Sequence, residues 1–243
     1  MAAGTRVHPA CFVGTSGFSY PAWRGPFYPA ELPAREFLSF YAGRLPAVEI
    51  NNTFYRMPDP AMLRAWTEQT PAAFRFALKA PQSITHRARL KDADGAIRTF
   101  VERAATLGER RGPLLFQLPP NLPVNIERLT SCLRVLATAG EVAFEFRHPS
   151  WLDEPVFALL EAHGAALCIA DTEDGTTPLT VTAPFGYVRL RREDYAPRAV
   201  TAWAQKIAGT TRWERVYVFL KHEDAGRAPA LATALGARLS PAA

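Results

Sequence analysis

Short apolar runs alternate with stretches of helical periodicity along the whole chain. Eight runs rich in β-branched and aromatic residues lie at 11–16, 47–52, 75–80, 113–118, 142–147, 166–171, 186–191 and 216–221. Between them, residues 33–45 and 125–139 place their apolar side chains on one helical face, and residues 154–163 have Pro155 in a first helical turn and Gly164 as a C-terminal stop. Strands that alternate with helices predict parallel pairing through right-handed crossovers. The pattern predicts either a closed (β/α)8 barrel or an open doubly wound sheet.

The polar residues favour the barrel. No glycine-rich nucleotide-binding loop follows the first strand, where an open sheet that binds a dinucleotide carries one. Most strands instead begin apolar and end with polar residues, namely Thr15, Ser16, Glu49, Asn51, Lys79, Gln117, Glu145, Arg147, Asp171, Arg189, Arg191 and Lys221. In a barrel all these strand ends converge on one mouth, where barrel enzymes carry their active sites.

One connection departs from the repeating pattern. Residues 172–185 lack helical periodicity, so we expect the helix between the sixth and seventh strands to be replaced by an irregular segment. The sequence therefore predicts a TIM-barrel-like (β/α)8 barrel of parallel strands. We expect a single domain over residues 1–243, with its core at about 11–238.

Composition narrows the class of protein further. No window approaches about 18 consecutive apolar residues, and the first residues lack the apolar core of a signal peptide. We therefore expect neither a membrane span nor export, with the cytoplasm as the compartment. The three cysteines, Cys11, Cys132 and Cys168, are far apart and have no CxxC spacing, which is typical of buried free thiols. No metal and no cofactor is predicted.

The charges at the predicted mouth point to an anionic ligand. Strand periodicity places Glu49 with Asn51, Glu145 with Arg147, and Arg189 with Arg191 on the inner face of the barrel. Cations outnumber carboxylates in this set, and the chain as a whole carries a net charge of +5. Two of its only four lysines end strands, at Lys79 and Lys221. The alternative interpretation is an ion-pair network that plugs the barrel and has a structural role only.

Several longer motifs resemble a known family. They are GTSGFSYPAWRGPFYP at 14–29, VEINNTFYRMP at 48–58, ALKAPQSITH at 77–86, LLFQLPPN at 114–121, FEFRHPSW at 144–151 and LCIADT at 167–172. Together they resemble, from about residue 12 to 226, the YecE-like family, the family of domain of unknown function 72. The resemblance implies a TIM-barrel-like fold and no established activity. Many members have Arg-Leu-His-Gly after the seventh strand, where this chain has Arg191 and Arg192, and many end the eighth strand with Asn or Asp, where it has Lys221 and His222.

The residue types and the resemblance together give a set of site candidates. The catalytic candidates are Glu49, Lys79, Glu145 and Asp171. The ligand-binding candidates are Ser16, Tyr20, Trp23, Asn51, Asn52, Tyr55, His86, Gln117, Arg147, His148, Trp151, Arg189 and Lys221. Arginine and lysine would hold phosphate, the aromatic residues would stack a base or sugar, and a glutamate would act as acid or base. The aromatic residues are equally consistent with a packed lid.

We therefore expect the mouth to bind a phosphate-bearing ligand, which could be a nucleotide, a nucleic acid or a sugar phosphate, with hydrolase or lyase chemistry left open. The alternatives are a metal-dependent phosphodiesterase, a nucleic-acid-binding module without activity, a glycoside hydrolase and a lyase that uses a lysine imine. The phosphodiesterase would use Glu49, Glu145, His148, Asp171 and His222 as metal ligands. The glycosidase would pair Glu49 with Glu145, and the imine would form on Lys79 or Lys221.

Overall fold

The strands form the centre of the fold. The computed structural model describes residues 9–193, 195–221 and 226–240. These residues form nine strands: β1 (Ala10–Ser16), β2 (Ala47–Ile50), β3 (Arg75–Lys79), β4 (Arg111–Gln117), β5 (Val142–Glu145), β6 (Ala166–Thr172), β7 (Gly175–Thr176), β8 (Phe185–Leu190) and β9 (Arg215–Leu220). All except β7 pair in parallel, in the order β5-β4-β3-β2-β1-β9-β8-β6.

Pairing between β5 and β6 closes this sheet into a barrel. Ala143 lies opposite Ala166, and Phe144 lies opposite Leu167. The eight parallel strands therefore have no open edge, and the predicted (β/α)8 barrel is confirmed. The described residues also form seven α-helices: α1 (Phe37–Ala42), α2 (Pro60–Glu68), α3 (Asp94–Ala104), α4 (Ile126–Val135), α5 (Glu154–Ala162), α6 (Pro197–Gly209) and α7 (Arg227–Leu239). No helix of the described part is long and apolar enough to cross a membrane.

The segment between β6 and β8 is irregular, as predicted. It contains no helix, and the two-residue strand β7 pairs antiparallel with the end of β6. Thr182 anchors the return of the chain, because its hydroxyl accepts a hydrogen bond from Leu167 N at 2.8 Å and donates one to Ala165 O at 2.7 Å. This hairpin lies over one side of the barrel mouth.

Two strands end two residues earlier than predicted, and this shapes the mouth. β2 ends at Ile50, and residues Asn52–Phe54 form a 3-10 turn. The hydroxyl of Thr53 stabilises this turn, since it lies 2.7 Å from Lys79 O and 3.1 Å from Ile50 O. β5 likewise ends at Glu145. The polar residues that follow these strands therefore lie in loops above the barrel instead of in the sheet.

The inside of the barrel is filled from one side. Strands β2 to β6 contribute mostly small residues to the interior, while β8 and β9 contribute large rings. The buried interior cluster consists of Ala47, Ala77, Leu115, Ala143, Ala166, Cys168, Ala183, Phe185, Tyr187, Tyr217 and Phe219. Two residues further along the same strands, on the same face, stand Glu49, Lys79, Gln117, Glu145 and Arg189. The apolar interior is therefore capped by a polar layer at the mouth.

Candidate functional site

Arg189 is the centre of the polar layer. Its Nη1 donates a hydrogen bond to Glu145 Oε2 at 2.5 Å, and its Nη2 donates one to Glu49 Oε1 at 2.7 Å. Both carboxylates are fully buried, and the arginine is 1% exposed. A single guanidinium from β8 therefore joins β2 to β5 across the barrel. Burying three charges is costly unless each is well paired, as these are.

Glu49 is saturated with hydrogen bonds. Ser16 Oγ donates to its Oε1 at 2.8 Å, Asn51 Nδ2 donates to the same oxygen at 3.1 Å, and Tyr187 OH donates to its Oε2 at 2.8 Å. Burial tends to raise the pKa of Glu49, but the charge and hydrogen bond of Arg189 outweigh it, so the pKa lies below its usual value. Glu49 is therefore held as a carboxylate.

Glu145 has a second arginine partner. Arg147 Nε donates a hydrogen bond to Glu145 Oε1, and Cys168 Sγ lies 3.9 Å from Oε2. Burial opposes ionisation of Glu145, yet the charges of Arg189 and Arg147 lower its pKa to about 2. Two ionised carboxylates thus face two arginines, and the ion-pair network considered from the sequence is present.

Lys79 lies beside this network without joining it. Its Nζ is 4.2 Å from the centroid of the Phe54 ring, and it lies within 4.0 Å of no described carboxylate. Burial, followed by the charge of Arg189, lowers the pKa of Lys79 to about 8. His86 also packs edge-on against Phe54, with ring centroids 4.8 Å apart. Burial and the charges of Lys79 and Arg147 lower the pKa of His86.

A small pocket opens above Arg189 and Lys79. Its volume is about 200 Å³, and it is lined by Ser16, Tyr20, Asn51, Phe54, Tyr55, Lys79, Arg189, Arg191 and Lys221. We call this the mouth pocket. Arg191 follows Arg189 by two residues and is half-buried, with no described carboxylate within 4.0 Å. Burial and the nearby Arg189 charge lower the pKa of Arg191.

The loop after β1 brings an aromatic residue to the pocket. Gly17 has a φ of +94°, and a Cβ built there would lie 2.4 Å from the hydroxyl of Tyr20. That hydroxyl donates to Ser16 O at 2.7 Å. Trp23, by contrast, is fully buried and packs against Tyr20 and Tyr28, with centroids 4.7 and 6.1 Å away. Tyr20 therefore lines the pocket, while Trp23 anchors the loop beneath it.

The structure places several predicted residues outside the mouth pocket. Asp171 lies on the outer side of β6, where it accepts hydrogen bonds from Tyr195 OH at 3.0 Å and Trp203 Nε1 at 3.3 Å and pairs with Arg192. Trp151 is buried and donates from Nε1 to Leu122 O at 2.7 Å. Asp171 therefore does not join the network of Glu49 and Glu145.

A separate pocket adjoins the mouth on the side of the β6–β7 hairpin. It has a volume of about 260 Å³ and is lined in part by Arg147, His148 and Thr176. His148 Nδ1 accepts a hydrogen bond from Ser150 N at 3.2 Å. Asn52 is exposed as the first residue of the turn that carries Phe54, and Gln117 ends β4 opposite Glu145. These residues surround the mouth pocket without lining it.

Three residues of the site are not among the site candidates predicted from the sequence. Arg191 lines the mouth pocket, and its position at a strand end is the signal that could have included it. Tyr187 lies two positions before Arg189 and so shares its inward face. Phe54 packs against both Lys79 and His86. Within the described ranges no group of three or more His, Cys, Asp or Glu side chains is placed to hold a metal. His222, one of the metal candidates, lies outside the described residues.

A family model and two similar proteins agree on the family to which the chain is related. The model of the family described as "Protein of unknown function DUF72" matches residues 12–243. The chain is 27% identical to UPF0759 protein YecE of Escherichia coli, over 90% of this chain and 89% of that protein. It is 25% identical to UPF0759 protein YunF of Bacillus subtilis, over 81% and 74% of the two chains.

Solved structures show the same fold. A DUF72 family protein from Thermotoga maritima superposes with a TM-score of 0.78 at 25% identity, covering 95% of this chain and 99% of that one. A DUF72 family protein from Enterococcus faecalis gives a TM-score of 0.75 at 20% identity, covering 96% and 98%. The architecture of this chain is therefore shared across these relatives.

Proposed function

The chain belongs to the DUF72 family of proteins of unknown function, and on that premise we propose that its mouth pocket binds the phosphate group of a small ligand. The observation that carries the proposal is the surplus of positive charge there. Glu49 and Glu145 are both taken up by arginines, whereas Lys79 and Arg191 line the pocket with no described carboxylate within 4.0 Å. A phosphate oxygen would supply the partner that Arg191 lacks, and Lys79 adds to the positive charge beside it.

Arg189 gives independent support. Its Nε is buried and has no hydrogen-bond partner among the described residues. Leaving a buried donor without a partner costs about 1–3 kcal/mol. An anion in the mouth pocket would provide an acceptor next to this guanidinium. The ion pairs with Glu49 and Glu145 hold the guanidinium in place before any ligand arrives, which lowers the cost of ordering on binding.

The size of the pocket favours a small ligand. Pockets that enclose drug-sized molecules span roughly 300–1,000 Å³, and the mouth pocket has about 200 Å³. A phosphate with a short carbon skeleton fits this volume better than a nucleotide does. We therefore propose a small phosphate monoester, such as a short sugar phosphate, as the class of ligand.

Calorimetric titration with glycerol 3-phosphate, inorganic phosphate and glycerol tests the proposal. We expect both phosphates to bind and glycerol not to bind. Arg191→Gln should weaken phosphate binding about 10- to 100-fold, since a hydrogen bond to a charged group contributes about 1.5–3 kcal/mol. The matched control is Arg64→Gln, which removes the same charge from an exposed position on α2. Equal affinity of the two variants would refute the assignment of Arg191.

A further inference from the structure

The backbone of Lys79 is fixed at the rim of the barrel. Lys79 is the last residue of β3, and its carbonyl accepts a hydrogen bond from Thr53 Oγ1 at 2.7 Å. The next residue, Ala80, donates from its backbone N to Leu115 O at 2.8 Å. The side chain is half-buried and rests on Phe54, with its Nζ in the wall of the mouth pocket. The amine is therefore presented to a ligand from a rigid strand end.

Burial favours the neutral form of Lys79, and the charges around it act in both directions. Arg189 and Arg191 disfavour a further positive charge, while Glu49 and Glu145 favour it but are already bound by arginines. Further titratable neighbours are His86, which packs against Phe54, and Tyr20, Tyr55 and Lys221, which line the same pocket. With a pKa of about 8 against an ordinary 10.5, Lys79 has a fraction of neutral amine at pH 7 that is roughly a few hundred times that of an ordinary lysine.

A neutral, desolvated amine in a pocket is the arrangement that makes lysine a nucleophile towards carbonyl groups. We propose that Lys79 forms an imine with an aldehyde or ketone group of the phosphate-bearing ligand. The inference rests on the proposed function, in which Arg191 and Arg189 hold the phosphate. Lys79 and Arg191 line the same pocket, so one small ligand can reach both. The substrate class is then a short phosphorylated aldehyde or ketone.

The reaction balances without a further reactant. The lone pair of the Lys79 amine attacks the carbonyl carbon, a C–N bond forms, and the carbonyl oxygen becomes a hydroxyl after taking up one amine proton. The hydroxyl then leaves as water with the second amine proton, and a C=N bond remains. No oxidant or reductant is consumed. Once protonated by solvent, the imine withdraws electrons from the adjacent carbon of the ligand, which is the use that enzymes make of it.

Reductive trapping tests the inference on the full chain. The protein is incubated with glycolaldehyde phosphate, reduced with sodium borohydride, digested and analysed by mass spectrometry to locate modified lysines. The chain has only four lysines, at 79, 91, 206 and 221, and the exposed Lys91 and Lys206, which do not line the mouth pocket, are the internal controls. We expect Lys79 to be labelled at least about 10-fold faster than the exposed Lys91 and Lys206. Its labelling rate should level off above pH 8.

Competition and substitution complete the test. Inorganic phosphate should slow the labelling of Lys79 and leave the labelling of Lys91 unchanged. Lys79→Met should have no fast-labelled lysine, and its cooperative unfolding on heating should show that the variant is folded. If glycerol 3-phosphate binds in the titration but Lys79 is labelled no faster than Lys91, the imine is refuted and the phosphate site stands. If glycerol 3-phosphate does not bind, the proposed function fails and the imine inference fails with it.

Discussion

Arg189 Nη2 lies 2.7 Å from Glu49 Oε1 in an ion pair of which the carboxylate is fully buried and the arginine 1% exposed. Removing the arginine would leave two buried carboxylates without their main counter-charge. We expect Arg189→Met to lower the free energy of unfolding by about 3–5 kcal/mol, because breaking a buried ion pair from one side leaves an uncompensated charge. Urea unfolding followed by circular dichroism measures the loss.

A surface arginine provides the control for this variant. Arg212 pairs with Glu161 at 2.5 Å, but the two side chains are 63% and 55% exposed. Arg212→Met should therefore cost less than about 1 kcal/mol. Similar losses for the two variants would show that the interior network contributes no more than a surface pair.

Acid should destabilise the protein through Glu145. Its folded-state pKa of about 2 lies below the ordinary 4.5, so the unfolded state binds more protons between these values. The stabilisation is fully present above pH 4.5 and is lost as pH falls towards 2, with a size of roughly 3 kcal/mol. The measurement is the slope of unfolding free energy against pH over this window. Glu145→Gln should flatten that slope whatever its absolute stability, and an unchanged slope would contradict the assignment.

Lys79 should give a slope of the same sign as Glu145, but at alkaline pH. Its folded-state pKa of about 8 is below the ordinary 10.5, so the unfolded state binds more protons between the two. The contribution of Lys79 to stability should therefore rise as pH increases from about 8. Lys79→Met should remove this contribution and should be more stable than the native chain at pH 7, because the penalty of a buried ammonium is removed. Thermal unfolding of both proteins at pH 7, 8 and 9 measures their difference, in which the raised pKa values of Cys11, Cys132 and Cys168 cancel, and a difference that does not shrink as pH rises from 8 to 9 would count against the lowered pKa of Lys79.

Substitution of two glycines by alanine tests the role of the turn after β1. Gly17 and Gly25 have φ values of +94° and +90°, but only at Gly17 would a Cβ meet Tyr20, at 2.4 Å from its hydroxyl. Both Gly17→Ala and Gly25→Ala should lose about 1–2 kcal/mol through backbone strain. Only Gly17→Ala should also weaken phosphate binding, since it displaces Tyr20 from the mouth pocket. Calorimetric titration of both variants makes the comparison, and equal affinities would remove Tyr20 from the site.

Substitution of Asp171 tests whether the ligand site is confined to the mouth pocket. Its carboxylate is bound by Tyr195, Trp203 and Arg192 outside the mouth pocket. Asp171→Asn should therefore reduce stability by about 1–3 kcal/mol, through hydrogen bonds lost to a buried group, and should leave phosphate affinity unchanged. A loss of affinity with unchanged stability would return Asp171 to the site.

Much of the barrel was predictable because strand and helix periods are local properties of the chain. The runs at 47–52 and 186–191 placed β2 and β8 to within a few residues, and the missing periodicity of 172–185 predicted the irregular connection. Period-two alternation also placed Glu49 and Arg189 on the same inward face as the apolar residues two positions before them.

The face of Asp171 could not be predicted in this way. Strands of a parallel barrel are buried on both sides. β6 therefore carries apolar residues at nearly every position, and its sequence does not show which of them face inward. Only packing shows that Cys168 faces inward beside Glu145, which turns Asp171 outward towards α6.

Sequence by itself determined which residues reach the end of each strand, because that depends on local hydrophobicity and on where the strand stops. The tertiary structure alone decided which charges neutralise one another. Glu49 and Arg189 are 140 residues apart, and their contact depends on barrel closure and register, which no local pattern contains. That pairing takes up the carboxylates and leaves Lys79 and Arg191 facing the mouth pocket, so the charge available to a ligand is a property of the closed barrel.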